Sequence, residues 1–158
     1  MTEPVRAAWR HVLLATLVAG SIDIGYALAV SILRGGTAQR LLQAVASGWL
    51  GKASFDGGPA SAALGLASHY AIIFVAAALF LAASRRIAWL RVHPCVSGML
   101  YGLGIYLVMN FVVVPLSAVP FQFHYHLWPT VGDLASHVFG VGLVISLITR
   151  RAIVGPRG

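Results

Sequence analysis

Residues 12–33 read VLLATLVAGSIDIGYALAVSIL, with a single formal charge, Asp23, and no proline. A helix rises about 1.5 Å per residue, and crossing a hydrocarbon core takes about 20 predominantly apolar residues, so this stretch is long enough to span a membrane. Within it Thr16, Gly20, Asp23, Ala27 and Ser31 recur every three or four residues, which places them on one helical face. A carboxylate carried into a bilayer on a stripe of small residues is the pattern of a helix that turns its polar face to neighbouring helices rather than to lipid.

Three further stretches have the same character, roughly 61–83, 96–117 and 131–149. Together the four nearly fill the chain and predict an all-α, four-helix transmembrane bundle forming one domain over 1–158. Composition agrees. The 158 residues are 59% hydrophobic and 9% charged, where soluble domains carry about 25% charge, and the mean hydropathy is +0.85. Eleven basic residues against four acidic ones describe membrane topology here, because a nucleic-acid-binding tail would carry its charge without long Leu, Val and Ala runs. The one cysteine, Cys95, excludes an internal disulfide and a CxxC zinc site and has no activating neighbour in the local sequence. No internal repeat is visible.

Arg6, Arg10, Arg85, Arg86, Arg91, Arg150, Arg151 and Arg157 flank the spans on one side, whereas the connection over 118–130 has no basic residue. The positive-inside rule therefore predicts cytoplasmic termini. A signal peptide competes for the N-terminus, since Ala27-Leu28-Ala29 has a small-x-small form, but the apolar run exceeds the 7–15 residues typical of a signal core. Arginine outnumbers lysine ten to one, a mark of GC-rich coding and of a bacterial inner-membrane source. Between the first two spans, residues 38–50 gather Leu41, Leu42, Val45, Trp49 and Leu50 toward one side, predicting a short interfacial or re-entrant helix. Pro59 and Pro94 stand where helices start, and Thr130 with Asp133 has the form of an N-cap before the fourth span. Phe121, Phe123, Tyr125 and Trp128 are spaced as an interfacial aromatic belt.

The polar residues of the other spans also lie on small-residue stripes: Ser61, Gly65, His69, Ile72 and Ala76; Gly98, Gly102, Tyr106 and Asn110; Asp133, His137 and Gly140 or Val141. From span midpoints, Asp23 falls near the centre, with His69, Asn110 and His137 roughly 4–6 Å toward the outer face. The sequence thus predicts a polar pocket of Asp23, His69, Tyr106, Asn110 and His137, with Gly20, Gly65, Gly98, Gly102 and Gly140 as packing positions. Asp23 is the residue hardest to explain as packing, because a carboxylate in a bundle centre must be protonated, paired or hydrated. Each histidine read singly is as readily a satisfied interhelical hydrogen-bonding group. Pro115 frees the carbonyl of Phe111 and predicts a kink beside Asn110, although a proline near the end of a span is also an ordinary stop.

From the second span onward the order of features resembles the YagU-like family of small bacterial inner-membrane proteins, a family without an established function. The resemblance covers about 65–140. It rests on His69 and the run Ala71 to Leu81, on Ser97-Gly98-Met99-Leu100-Tyr101-Gly102, on Pro115-Leu116 with Pro120, and on Asp133-Leu134-Ala135-Ser136-His137. It implies His69, Pro115 and His137 as matching positions. Asn110 stands where the family can have a histidine, which weakens a four-histidine metal site, and residues 37–64 depart from the pattern.

The sequence favours a small-solute or proton-linked transport protein that titrates on Asp23 and needs no cofactor. The alternatives are a structural or assembly subunit, whose small-residue faces meet a membrane-protein partner or a second copy, and a haem or transition-metal protein using His69 and His137. His124 and His126 form an H-x-H whose simpler reading is packing among the neighbouring aromatics. An enzyme is the lesser alternative: there is no G-x-S-x-G, no HExxH and no phosphate loop, and no nucleophile is marked beside Asp23. The expected surroundings are the lipid bilayer, with no nucleic acid.

Overall fold

The computed structural model describes the backbone of residues 3–120 and 127–154 and the side chains of 8–120 and 130–153. All regular structure among them is helical. The elements are α1 (Glu3–Leu33), α2 (Ala38–Leu50), a 3-10 turn (Gly51–Phe55), α3 (Gly58–Arg86), α4 (Ala88–Val92), α5 (Pro94–Val108), a π-helical turn (Met109–Val113), α6 (Val114–Leu116), α7 (Leu127–Ala135), a π-helical stretch (Ser136–Leu143) and α8 (Val144–Val154). Among the described residues four helical runs are long and apolar enough to cross a membrane: Ala8–Leu33, Gly58–Arg86, Pro94–Leu116 and Thr130–Ile153. Each expected span falls within or beside one of them. The aromatic belt residues Phe121, Phe123 and Tyr125 and the His124/His126 pair lie outside the described residues, as does the side chain of Trp128.

Local chemistry sets the ends. At the close of α1, Gly36 N–H donates to the Ser31 carbonyl at 2.8 Å and Gly35 N–H to that of Ile32 at 2.9 Å. This is a Schellman closure, and it needs a left-handed residue, which Gly35 supplies at φ 80°. Thr37 caps α2 by accepting the Arg40 N–H at 3.2 Å. Pro59 and Pro94 sit in the first turns of α3 and α5, where the missing N–H costs no hydrogen bond. The fourth run departs from the expected start: helix already runs at Leu127, so Thr130 lies inside the first turn and Asp133 nearly two turns in. Pro129 is no barrier there, because first-turn N–H groups lack helical partners in any case.

The central core is built by α1, α3 and the fourth run. Val12, Ala15 and Ala19 pack on Ile73, Ala77, Phe80 and Leu81 and on Val141 and Ile145. Outward faces are equally apolar, with Leu13, Leu14, Leu17, Val75, Leu79, Leu107 and Phe111 all exposed, the surface expected of helices solvated by lipid. The third run stands most to the side: 11% of its apolar window is buried, against 28–33% for the other three. It is held by backbone proximity to the fourth. A side chain at Gly98 would meet Ser146 Cβ at 2.8 Å, one at Gly102 would strike the His137 carbonyl, and one at Gly142 the Gly98 carbonyl. Ser146 adds an interhelical hydrogen bond to the Pro94 carbonyl at 2.8 Å, and Tyr101 reaches the Ala76 carbonyl on α3 at 2.8 Å.

The small face of α3 at Gly65 meets α2 rather than another span. A Cβ there would collide with the Leu42 carbonyl and come within 3.1 Å of the Ala46 nitrogen. Gln43 closes the same contact by donating to the Gly58 carbonyl at 3.1 Å, and Trp49 donates to Ser68 Oγ at 3.1 Å. The far end of α2 is tied to the chain after α6 by Ala118 N–H to Gly48 O at 3.0 Å. Gly65→Ala is therefore expected to destabilise the protein by about 1–3 kcal/mol, the usual cost of forcing an extra carbon into a filled contact. Gly25, which has no atom within 4 Å of its absent side chain, is the matched control. Gly25→Ala should be neutral or stabilising by up to about 1 kcal/mol through helix propensity. Thermal unfolding of both variants in detergent checks the pair.

Candidate functional site

Asp23 lies on α1 at the level where α7 passes into the π-helical stretch, and the two runs meet through side chains. Ser136 Oγ, buried, donates to Asp23 Oδ1 at 2.8 Å. His137 follows directly, with Nδ1 2.9 Å from the Asp133 backbone carbonyl, 3.5 Å from Asp133 Oδ1 and 3.7 Å from Asp23 Oδ1. Three oxygen acceptors surround one imidazole nitrogen, so that nitrogen carries the proton in this arrangement. The side chains of His137 and Asp23 are 13% and 14% exposed, while that of Asp133 is 44% exposed. The cluster is thus closed on the bundle side and open at Asp133.

The third run supplies a wall. Tyr106, buried on α5, sets its ring against the His137 imidazole with centroids 5.6 Å apart and planes at 78°, an edge-to-face contact that holds the imidazole plane. One turn away on the same face, the bare Cα of Gly102 lets α5 lie on the carbonyl of His137 itself. On the first run, Tyr26 extends one turn beyond Asp23, and its hydroxyl occupies the space that a side chain at Gly132 would take. Gly140 makes the matching allowance for Ile22, whose Cγ2 lies 2.7 Å from where its Cβ would be.

Of the five residues expected to form the pocket, the structure brings Asp23, Tyr106 and His137 together. His69 takes another position. Its Nε2 lies 2.9 Å from the Gly20 carbonyl, and its ring packs edge-on to Tyr70, which itself bonds Ser21 at 2.9 Å. It joins α3 to α1 one turn before Asp23 by taking up a backbone acceptor, the role open to any single histidine in a helix interface. Tyr70 also lies against Gly20, whose missing side chain leaves room for the ring. Asn110 turns back on its own helix and donates to the Tyr106 carbonyl at 3.0 Å. It is the second residue of the π-helical turn Met109–Val113 that precedes Pro115, where Val114 N–H reaches the Met109 carbonyl across five residues. The wider turn is the form the disturbance before Pro115 takes.

Asp133 and Ser136 complete the site and were not among the residues singled out for it. Asp133 and His137 are four residues apart in sequence, the spacing that stacks side chains on one helical face, and that signal was present. The spacing put Asp133 on the His137 stripe, but its reading as a cap left it out of the pocket. Among the described residues Asp23, Asp133 and His137 form a group whose ligating atoms all lie within 4.8 Å of one another; His69 is not part of it.

Compared with protein-family models, with curated proteins and with solved structures, the chain matches none.

Proposed function

We propose that this is a small multi-pass protein of a bacterial inner membrane that moves protons, or a small solute coupled to them, through the cluster of Asp23, Asp133, Ser136 and His137. The observation that carries this reading is the pairing of Asp23 with His137 and Ser136 across two spanning runs. Lipid penalises such groups by a few kcal/mol at mid-membrane, so they persist where they do work or where they hold helices together. A hydroxyl would hold helices together at lower cost than two carboxylates and an imidazole. The half-exposed Asp133 gives the cluster an entrance, and the sequence over 118–130 that leads into the fourth run contains no Lys or Arg.

In this reading both termini are cytoplasmic, as the arginines flanking the spans favour, and the entrance at Asp133 faces outward. The resemblance to the YagU-like family implies the same bundle and adds no substrate. Gly98 and Gly102, two of the small-residue positions on which the assembly-subunit reading draws, lie against the fourth run. Proton flux into liposomes tests the proposal. Reconstituted protein is expected to dissipate an imposed pH gradient, and vesicles with Asp23→Asn are expected to hold it as empty vesicles do. Equal flux from wild type and Asp23→Asn would remove Asp23 from the mechanism.

A further inference from the structure

We propose that Asp23, Asp133 and His137 form a binding site for a divalent transition-metal ion of the zinc class. The inference deepens the transport reading, on which it rests for the access route past Asp133, by naming the cation the cluster takes. Its geometry is already near what such an ion needs. Zinc bonds imidazole nitrogen and carboxylate oxygen at about 2.0–2.2 Å, so tetrahedral donors stand about 3.3–3.6 Å apart. Nδ1 of His137 lies 3.5 Å from Asp133 Oδ1 and 3.7 Å from Asp23 Oδ1, and the three ligating atoms fall within 4.8 Å of one another. The two nitrogen–oxygen separations are already close to the tetrahedral spacing, and the set closes when the imidazole turns from the Asp133 carbonyl and the two carboxylates draw together around the ion.

Charge points the same way. Two carboxylates with ligating oxygens within 4.8 Å, one of them on the closed side of the bundle, repel each other unless a proton or a cation lies between them, less strongly for the half-exposed Asp133. His137 is the cation-forming side chain that both of them meet, and one imidazolium offsets one of the two negative charges. A divalent ion offsets both. One nitrogen and two oxygens favour the zinc class over magnesium, which prefers all-oxygen octahedral sites and keeps several waters. Ser136 then acts as an outer-sphere group, fixing Asp23 through its 2.8 Å hydrogen bond. Coordination through Nδ1 requires that nitrogen to present its lone pair, so its proton moves to Nε2 or leaves, and the hydrogen bond to the Asp133 carbonyl is given up. Three protein ligands leave a fourth position for water or a passing ligand, the open form of a zinc site.

Isothermal titration of the full-length, tag-free, chelator-treated protein in detergent with Zn²⁺ tests the site, with Mg²⁺ as the comparison ion. One Zn²⁺ per chain is expected, with Mg²⁺ at least about tenfold weaker. Asp133→Asn should weaken Zn²⁺ at least about tenfold while leaving the melting temperature unchanged, because the side chain is half exposed, and Ser136→Ala should weaken it by about 10–100-fold. A His124→Ala/His126→Ala double variant should bind as wild type does. The proposal is overturned by absent saturable binding, by Zn²⁺ affinity that Asp133→Asn leaves intact, or by binding lost with the 124/126 pair. Proton flux without Zn²⁺ binding would sink the metal site and leave the transport reading standing; Zn²⁺ binding without flux would do the reverse.

Discussion

Gly102→Leu is expected to separate the third run from the fourth and leave no stably folded protein in mild detergent. A Cβ at Gly102 would already strike the His137 carbonyl and lie 2.8 Å from the Val138 Cα. These are backbone atoms of a packed helix and cannot swing aside as a side-chain tip does. The opposing Gly142 is equally tight against Gly98 and Gly102, so the helices have no second position in which to take up the larger residue. Overpacking ordinarily costs about 1–3 kcal/mol. A leucine wedged between two backbones costs more than that range, because the third run has little other burial to hold it. Leu100→Ala, on the exposed side of the same helix, is the control and should melt close to wild type. Gel filtration with thermal unfolding by circular dichroism reads both. A Gly102→Leu protein that elutes and melts as wild type does would show that the two helices are not in contact at this point.

Asp23→Asn is the second large effect, and it falls on activity alone. The asparagine side-chain oxygen still accepts the Ser136 hydroxyl, the 2.8 Å bond that ties α1 to the fourth run, so the bundle keeps its interhelical contact. The amide cannot take up or release a proton at working pH, and it brings no negative charge to His137. Flux is therefore expected to fall to the level of empty vesicles, with a melting temperature within a few degrees of wild type. Asp23→Leu, by contrast, leaves the buried Ser136 hydroxyl without its acceptor, and an unsatisfied buried donor costs about 1–3 kcal/mol. Asparagine inactive but stable, and leucine inactive and less stable, is the pattern that separates a titrating role from a structural one.

The spans could be read from sequence because length and hydropathy alone decide them, and α2 because Leu41, Leu42, Val45, Trp49 and Leu50 gather toward one side of residues 38–50. Helical spacing also placed Asp23, Tyr106 and His137 on inward faces. It could not say which neighbour each face would meet. Gly65 sits on a small-residue stripe like the others, yet that stripe receives α2, which periodicity within one helix cannot reveal. His69 and Asn110 lie on polar faces too, but each finds a backbone carbonyl, Gly20 for one and Tyr106 for the other. Whether a polar group meets a carbonyl or a second side chain depends on the offset between helices. Asp133 was obscured by a local rule that fits it well: Thr130 and Asp133 have cap spacing, and only a helix already running at Leu127 turns Asp133 into the open side of a cluster.

The central claim is that Asp23, when no metal ion is bound, exchanges a proton inside the bundle, and infrared difference spectroscopy of the chelator-treated, reconstituted protein between acid and alkaline buffer tests it most directly. The account predicts a carboxylic C=O band that appears on the acid side, is exchanged for carboxylate bands on the alkaline side, and loses one component in Asp23→Asn while Asp133→Asn removes another. A difference spectrum identical in wild type and Asp23→Asn would contradict it, because Asp23 would then hold one protonation state throughout and serve only as an anchor for Ser136.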